Sequence, residues 1–178
     1  MSLVGRLLIS RPILQDPNFD RTISLVLEHG DDGALGVILN RPTTLEVGDP
    51  FPDWQELATE PAFVFGGGPV ERNAMIVLGR NPTTEGELAL GLHSVDLDHQ
   101  PQLVQGEGIE AIRIFAGYAG WGAGQLEGEL GNGAWWTAPG SVDDVFCPDP
   151  YELWARVLKR EGGEMAWYAH LPEDPSAN

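Results

Sequence analysis

The chain has one cysteine, Cys147, and only ten Lys and Arg against 27 Asp and Glu in 178 residues. A lone cysteine closes no internal disulfide. The shortage of basic residues leaves a formal net charge of −17 at pH 7, which sets long-range repulsion against nucleic acid and anionic membranes and makes a basic protein the easier partner. No stretch approaches the roughly 20 apolar residues that span a bilayer. The opening MSLVGRLLIS carries neither a basic leader nor an apolar run long enough for export, so the cytoplasm is the expected setting.

The familiar catalytic signatures are missing as well. GGGPVERN (66–73) lacks the lysine and hydroxyl of a P-loop, and its Pro69 removes an amide that could cradle phosphate. A tight turn is expected there. Ser141 follows a turn, whereas the nucleophile of a GxSxG elbow follows a strand. Gly120, Gly122 and Gly124 lie between a strand and a helix, as a dinucleotide fingerprint does, but the third glycine of that motif would fall at Gln125. His93 and His99 would stand roughly 20 Å apart on a strand, too far to share one ion. No metal and no cofactor is expected, and no catalytic residue is assigned, because no nucleophile sits beside a base.

What the sequence does hold is a 42% hydrophobic composition, enough for a sizeable core in one domain, with room for two interlocked subdomains. Its pattern is strand-rich. RLLIS (6–10) and TISLVLEH (22–29) read as strands, the second with Ile23, Leu25 and Leu27 on one face and Val26 on the other. GDDG (30–33) supplies a hairpin turn into ALGVILN (34–40), which Pro42 should stop. An exposed crossing then leads to a short helix, DWQELAT (53–59), capped by Asp53. AFVFGGGPV (62–70), AMIVLGR (74–80), LALGLHSVDLDHQ (88–100) and IEAIRIFAGYAG (109–120) continue the β pattern, the last alternating Ile112, Ile114 and Ala116 against Arg113, Phe115 and Gly117. GQLEGEL (124–130) reads as a two-turn helix. PDPYELWARVLKREGG (148–163) reads as a longer one, with Asp149 as N-cap, Gly162 at its end and Leu153, Trp154, Val157 and Leu158 facing inward. HLPEDPSAN should fray.

Three polar clusters lie at element ends, where side chains leave the core and can converge. Arg21 and His29 flank TISLVLEH, Asn40 and Arg41 stand where the next strand stops, and Gln125 and Glu127 open the helix that follows Trp121 and Gly124. Ordinary roles exist for each: an ion pair for Arg21, a hydrogen-bonded strand end for His29, an Asx-turn for Asn40, a helix-dipole contact for Glu127. Together, Arg21, His29, Asn40, Arg41, Trp121, Gly124, Gln125 and Glu127 are the candidate ligand-binding residues. If Arg21 or Arg41 reaches the glycine turn, the first amides of helix 124–130 would complete a pocket for a small carboxylate or phosphate metabolite. The competing expectation is that FAGYAGWGAGQLEGELGNGAWW (115–136) is a packing joint whose tryptophans fill the space the glycines leave.

RTISLVLEH, GALGVILNRP, FVFGGGPV, FAGYAGWGAGQLEGELGNGAWW and ELWARVLKREGG, in that order, resemble the AlgH/YqgE family of bacterial proteins over nearly the whole chain. The resemblance implies an α+β fold: a mixed, largely antiparallel, curved or barrel-like sheet flanked by helices, with a smaller α/β portion. It brings no established reaction. The family is often labelled a transcriptional regulator, from an association with alginate control in pseudomonads, a label at odds with the charge of this chain. One departure is Ala123, where the family commonly has proline. Two functions follow as expectations: a non-enzymatic regulatory or adaptor protein acting through protein contacts, or a small-anion binder or hydrolytic enzyme using the polar residues around 117–127.

Overall fold

The structure, a computed structural model, describes residues 2–14 and 16–171. The expected fraying of HLPEDPSAN therefore falls largely outside the described residues. Strands β1 (Arg6–Ser10), β2 (Ile23–Gly30) and β3 (Gly33–Ile38) form an antiparallel meander, with Asp31 and Asp32 as the two-residue turn between the paired Gly30 and Gly33. β4 (Pro42–Glu46) starts at the proline expected to stop a strand. It can do so because it is an edge strand and Pro42 is its first residue. β4 pairs with β5 (Phe63–Gly66), and β6 (Val70–Arg80) follows.

The helix expected over 53–59 is only a 3-10 turn, Pro52–Trp54. Long-range pairing overrides helix propensity there: Ala58 bridges Ile112 and Thr59 N donates to Ile112 O at 3.0 Å. Over LALGLHSVDLDHQ the strand shrinks to β7 (His93–Ser94), after a turn in which Leu90 has φ 60°. α1 (Pro101–Gly106), β8 (Ala111–Gly122), α2 (Gln125–Gly131), β9 (Trp135–Pro139), α3 (Val142–Val145), α4 (Leu153–Glu161) and α5 (Gly163–Tyr168) complete the described chain. Asp149 makes no side-chain cap; residues 150–152 form a 3-10 turn, α4 begins at Leu153, and Gly162 at φ 73° separates it from α5. Ser141 caps α3: its Oγ accepts from Asp144 N, and the Asp144 carboxylate accepts from Ser141 N.

The strands make one mixed sheet in the order β4-β5-β8-β3-β2-β1-β9, with β6 paired to β8 and β7 to β6. Every strand pairing is antiparallel except β5 with β8. The sheet does not close into a barrel. The fold is thus α+β and largely antiparallel, as the resemblance implied.

Alternation along the strands sorts the core. Ile23, Leu25 and Leu27 pack with Phe115 and with Leu153, Trp154, Val157 and Leu158 of α4. Val26, one residue out of phase, joins Leu8, Trp121, Leu126 and Trp135 on the opposite side. Ile112 and Ile114 face a third cluster with Trp54, Val64 and Val77. Arg113, only 2% exposed, sits among these layers. Its guanidinium donates to the carbonyls of Cys147 and Glu60 at 2.9 Å, Val145 at 3.2 Å and Thr59 at 3.3 Å, and lies 4.4 Å over Phe65. Burial pushes its pKa down to about 10, so it remains charged at neutral pH and ties residues 59–60 to 145–147.

Trp154 anchors α4: it is buried, and its Nε1 donates to Ser10 O at 3.1 Å. Trp154→Ala should cost about 3–5 kcal/mol, as large aromatic truncations in cores do. Chemical denaturation will check this, and a loss below about 1 kcal/mol would mean the helix is not anchored through this side chain.

Candidate functional site

The candidate residues divide between the two ends of β2. Arg21 precedes the strand and His29 lies near its end, which separates them by about 26 Å at roughly 3.3 Å per residue. Arg21, Asn40 and Arg41 gather at one end; His29, Trp121, Gly124, Gln125 and Glu127 gather at the other.

At the His29 end the side chains are turned on one another. Leu3 N donates to His29 Nδ1 at 3.3 Å, which leaves Nε2 to donate to Glu127 Oε1 at 2.8 Å. The Glu127 carboxyl is held below its ordinary value, chiefly by its own backbone N–H and next by the His29 hydrogen bond. Gln125 Oε1 accepts from Gly122 N at 3.0 Å, while its Nε2 donates to Glu129 Oε1 at 2.9 Å. The other oxygen of Glu129 accepts both indole N–H groups, from Trp121 at 3.0 Å and from Trp135 at 2.8 Å. The two rings meet edge-on, centroids 6.2 Å apart, and Phe19 stacks edge-on against Trp135 at 5.4 Å. Trp136 points to the opposite face and packs on Tyr168 at 5.1 Å. Gly124, at φ 70°, turns the chain into α2.

The side chains of the Gly-Trp segment converge on Glu129, which sequence reasoning passed over. The available signal was local: an acid four residues after Gln125 on a short helix bracketed by tryptophans. The nearby recess of about 410 Å³ is lined by Glu28, Asp31 and Asp32 beside His29 and Trp121, a poor setting for an anion. The arginines expected to reach this turn contribute to the other end of β2.

At that end Asn40 is the organiser. Only 3% exposed, it accepts from Ile23 N at 2.9 Å through Oδ1 and donates to Arg21 O at 2.8 Å through Nδ2. It thus crosses to β2, where an Asx-turn within its own segment would have kept it local. Its two bonds hold the backbone around Arg21, which has φ 50°, a left-handed conformation costing a non-glycine residue about 1–2 kcal/mol. Thr22 is also fixed, with N donating to Ser10 Oγ at 2.8 Å and Oγ1 donating to Phe19 O at 2.9 Å. The Arg21 guanidinium lies 4.9 Å over Trp154 and donates to Leu171 O at 2.8 Å. Arg41 donates to Asp20 O. These residues, with Tyr151, Glu152 and Asp20, line a cleft of about 470 Å³. Tyr151, 75% exposed, stands at its rim. Tyr151, Glu152 and Trp154 were not foreseen as cleft residues, because they come from a segment distant in sequence; Asp20, next to Arg21, was passed over.

Among the described residues no group of three or more His, Cys, Asp and Glu is placed to hold a metal ion, and no helix is long and apolar enough to cross a membrane.

An open, largely antiparallel α+β sheet with an arginine-lined cleft at one end defines the class of protein; comparison with known proteins gives the family. The family model described as AlgH-like matches residues 7–166, and the chain belongs to that family. It is similar to UPF0301 proteins of Thermobifida fusca and Streptomyces coelicolor, each 47% identical; the alignments cover 100% and 99% of this chain and 96% of each relative. Among solved structures, a Corynebacterium diphtheriae protein matches with a TM-score of 0.85 at 27% identity, over 94% of this chain and 92% of that one. The AlgH protein of Pseudomonas aeruginosa matches with a TM-score of 0.67 at 30% identity, over 96% and 94%.

Trp121 and Trp135 are both buried, so removing the acceptor their indoles share orphans two donors at about 1–3 kcal/mol each. Glu129→Ala should therefore cost at least about 2 kcal/mol in denaturation, and Glu129→Gln, which keeps an acceptor oxygen, clearly less. Equal losses in the two variants would show that the hydrogen bonds are not what Glu129 contributes.

Proposed function

We propose that this protein is a non-enzymatic regulatory or adaptor protein that responds to a small anion held in the Arg21–Asn40–Arg41 cleft. The observation that carries the proposal is the buried Asn40 side chain, which holds Arg21 in a left-handed backbone conformation beside Arg41. Strain maintained by a dedicated buried amide is a mark of a positioned side chain. Two of only ten cationic residues meet in this cleft, on a chain with 27 acidic ones. Both guanidiniums are held in place, Arg21 by a hydrogen bond to Leu171 O and by Trp154, Arg41 by a hydrogen bond to Asp20 O, among their contacts. A carboxylate or phosphate in the cleft would accept charge-assisted hydrogen bonds, which are roughly twice as strong as neutral ones.

The adaptor half of the proposal draws on the surface beside the cleft, where Tyr151 and Leu171 line the rim and are exposed; ligand occupancy there would alter the face offered to a protein partner. With a net charge of −17, that partner is a basic protein and not duplex DNA.

The test is a thermal-shift titration with succinate at constant ionic strength. At ten times Kd, linkage gives about 1.4 kcal/mol, or a Tm rise of about 3–5 °C for a chain of this size. Arg21→Ala should abolish the rise and Gln125→Ala should leave it intact. A rise that survives Arg21→Ala or disappears in Gln125→Ala would move the anion away from this cleft.

A further inference from the structure

Trp167 is 81% exposed, more than any other large hydrophobic side chain among the described residues. It stands on α5, whose neighbouring apolar residues turn inward: Tyr168 packs on Trp136 at 5.1 Å, and Met165 and Ala169 lie with it against the main core cluster. An indole left in water beside core-packed neighbours is the kind of side chain that anchors protein interfaces.

α4 packs on the same cluster through Leu153, Trp154, Val157 and Leu158, so the outward faces of the two helices belong to one surface. Gly162 and Gly163, at φ 73° and 56°, reverse the chain between them. The helices run antiparallel: Glu152 and Ala155, at the start of α4, line one cleft together with Ala169 and Leu171, just past the end of α5.

The two outward faces differ in charge. On α4, Arg156, Lys159 and Arg160 share one side of the helix and are exposed, which places three of the ten basic residues of the chain within one turn. Arg160 is engaged within the molecule, paired with Asp144 at 2.8 Å and with Glu161 at 3.3 Å. Arg156 donates to Cys147 Sγ at 3.0 Å, and neither Arg156 nor Lys159 forms an ion pair among the described residues. On α5, the exposed Glu164 lies three residues before Trp167 and so on the same side of the helix. It too forms no ion pair among the described residues, and no Lys or Arg occurs from Glu161 to Leu171.

We propose that this helical face is a homodimer interface, in which two copies of the chain meet about a twofold axis near Trp167. A cationic strip beside an acidic one is complementary to the same pair of strips turned about such an axis, so Arg156 and Lys159 of each copy meet Glu164 of the other. A uniformly basic partner would be repelled by Arg156 and Lys159, and a uniformly acidic one by Glu164; a second copy meets neither conflict. With 27 acids against ten basic residues, two copies meeting elsewhere bring acid against acid, whereas this face offers the acids of one copy a cluster of cations on the other. The two Trp167 rings supply the central apolar contact that surface charge pairs alone do not. The interface does not depend on an anion in the Arg21 cleft.

Sedimentation equilibrium at physiological salt tests the proposal. Lys159, Glu164 and Trp167 are exposed, and circular dichroism will verify that their variants fold. The wild type should show a monomer–dimer equilibrium. Trp167→Ala should weaken the dimer at least about tenfold, as loss of a central aromatic anchor does. Lys159→Glu and Glu164→Lys should each weaken it at least about fivefold, and the double variant should return to within about twofold of the wild type, because opposite charges again face across the axis. A wild type that stays monomeric up to millimolar concentration overturns the proposal. A dimer that none of the three single variants weakens lies on another face and overturns it as well. Failure of the charge swap to restore a dimer weakened by both single reversals overturns the twofold pairing of the strips.

Discussion

The constraint on which the architecture depends is the bend of β8 at Gly117. That residue has φ 74°, and a Cβ there would sit 2.6 Å from Gly68 O and 2.8 Å from Val70 O. With glycine in place, residues 111–116 pair with β6 and β5, while residues 119–122 pair with β3. One strand thereby serves two parts of the sheet. The same close approach brings the 66–68 loop onto β8, and from there Gly66 N donates to Arg41 O at 2.7 Å, so the constraint that organises the sheet also fixes the backbone at Arg41.

The two ends of β2 are built differently. At the His29 end, donors and acceptors satisfy one another: imidazole with carboxylate, glutamine with backbone and glutamate, two indoles with a single carboxylate oxygen. Such a closed network rigidifies the chain and offers little to a ligand. At the Arg21 end, the buried Asn40 amide holds a strained backbone at Arg21. The net charge of −17 sharpens the contrast. Beyond the Debye length of about 8 Å at physiological salt the field of the protein is screened, so on the proposed reading an anion would be recognised through local guanidinium geometry.

Much of the fold was legible in the sequence because it is written in alternation. The opposed faces of Ile23-Leu25-Leu27 and Val26, and of Ile112-Ile114 and Phe115, were readable at period two, and the inward stripe of α4 at period 3.6. What was not legible depended on partners distant in the chain. Residues 53–59 have a helical composition but bridge to Ile112; Trp135 and Trp136 look like loop aromatics until β1 pairs with them as β9; Pro42 opens an edge strand. The site divides in the same way. Arg21, Asn40 and Arg41 stood out at element termini, yet nothing local reveals that the Asn40 side chain crosses to β2. Nor does local sequence reveal that the 117–127 turn closes on Glu129 and lies at the opposite end of the strand from the arginines.

The most direct measurement is amide chemical-shift mapping of the isotopically labelled protein titrated with succinate at constant ionic strength. Saturable shifts should concentrate at residues 20–22, 40–41 and 151–155, which line or flank the cleft, with 122–129 unmoved. Shifts centred on 122–129, or none that saturate, would contradict the anion-cleft reading.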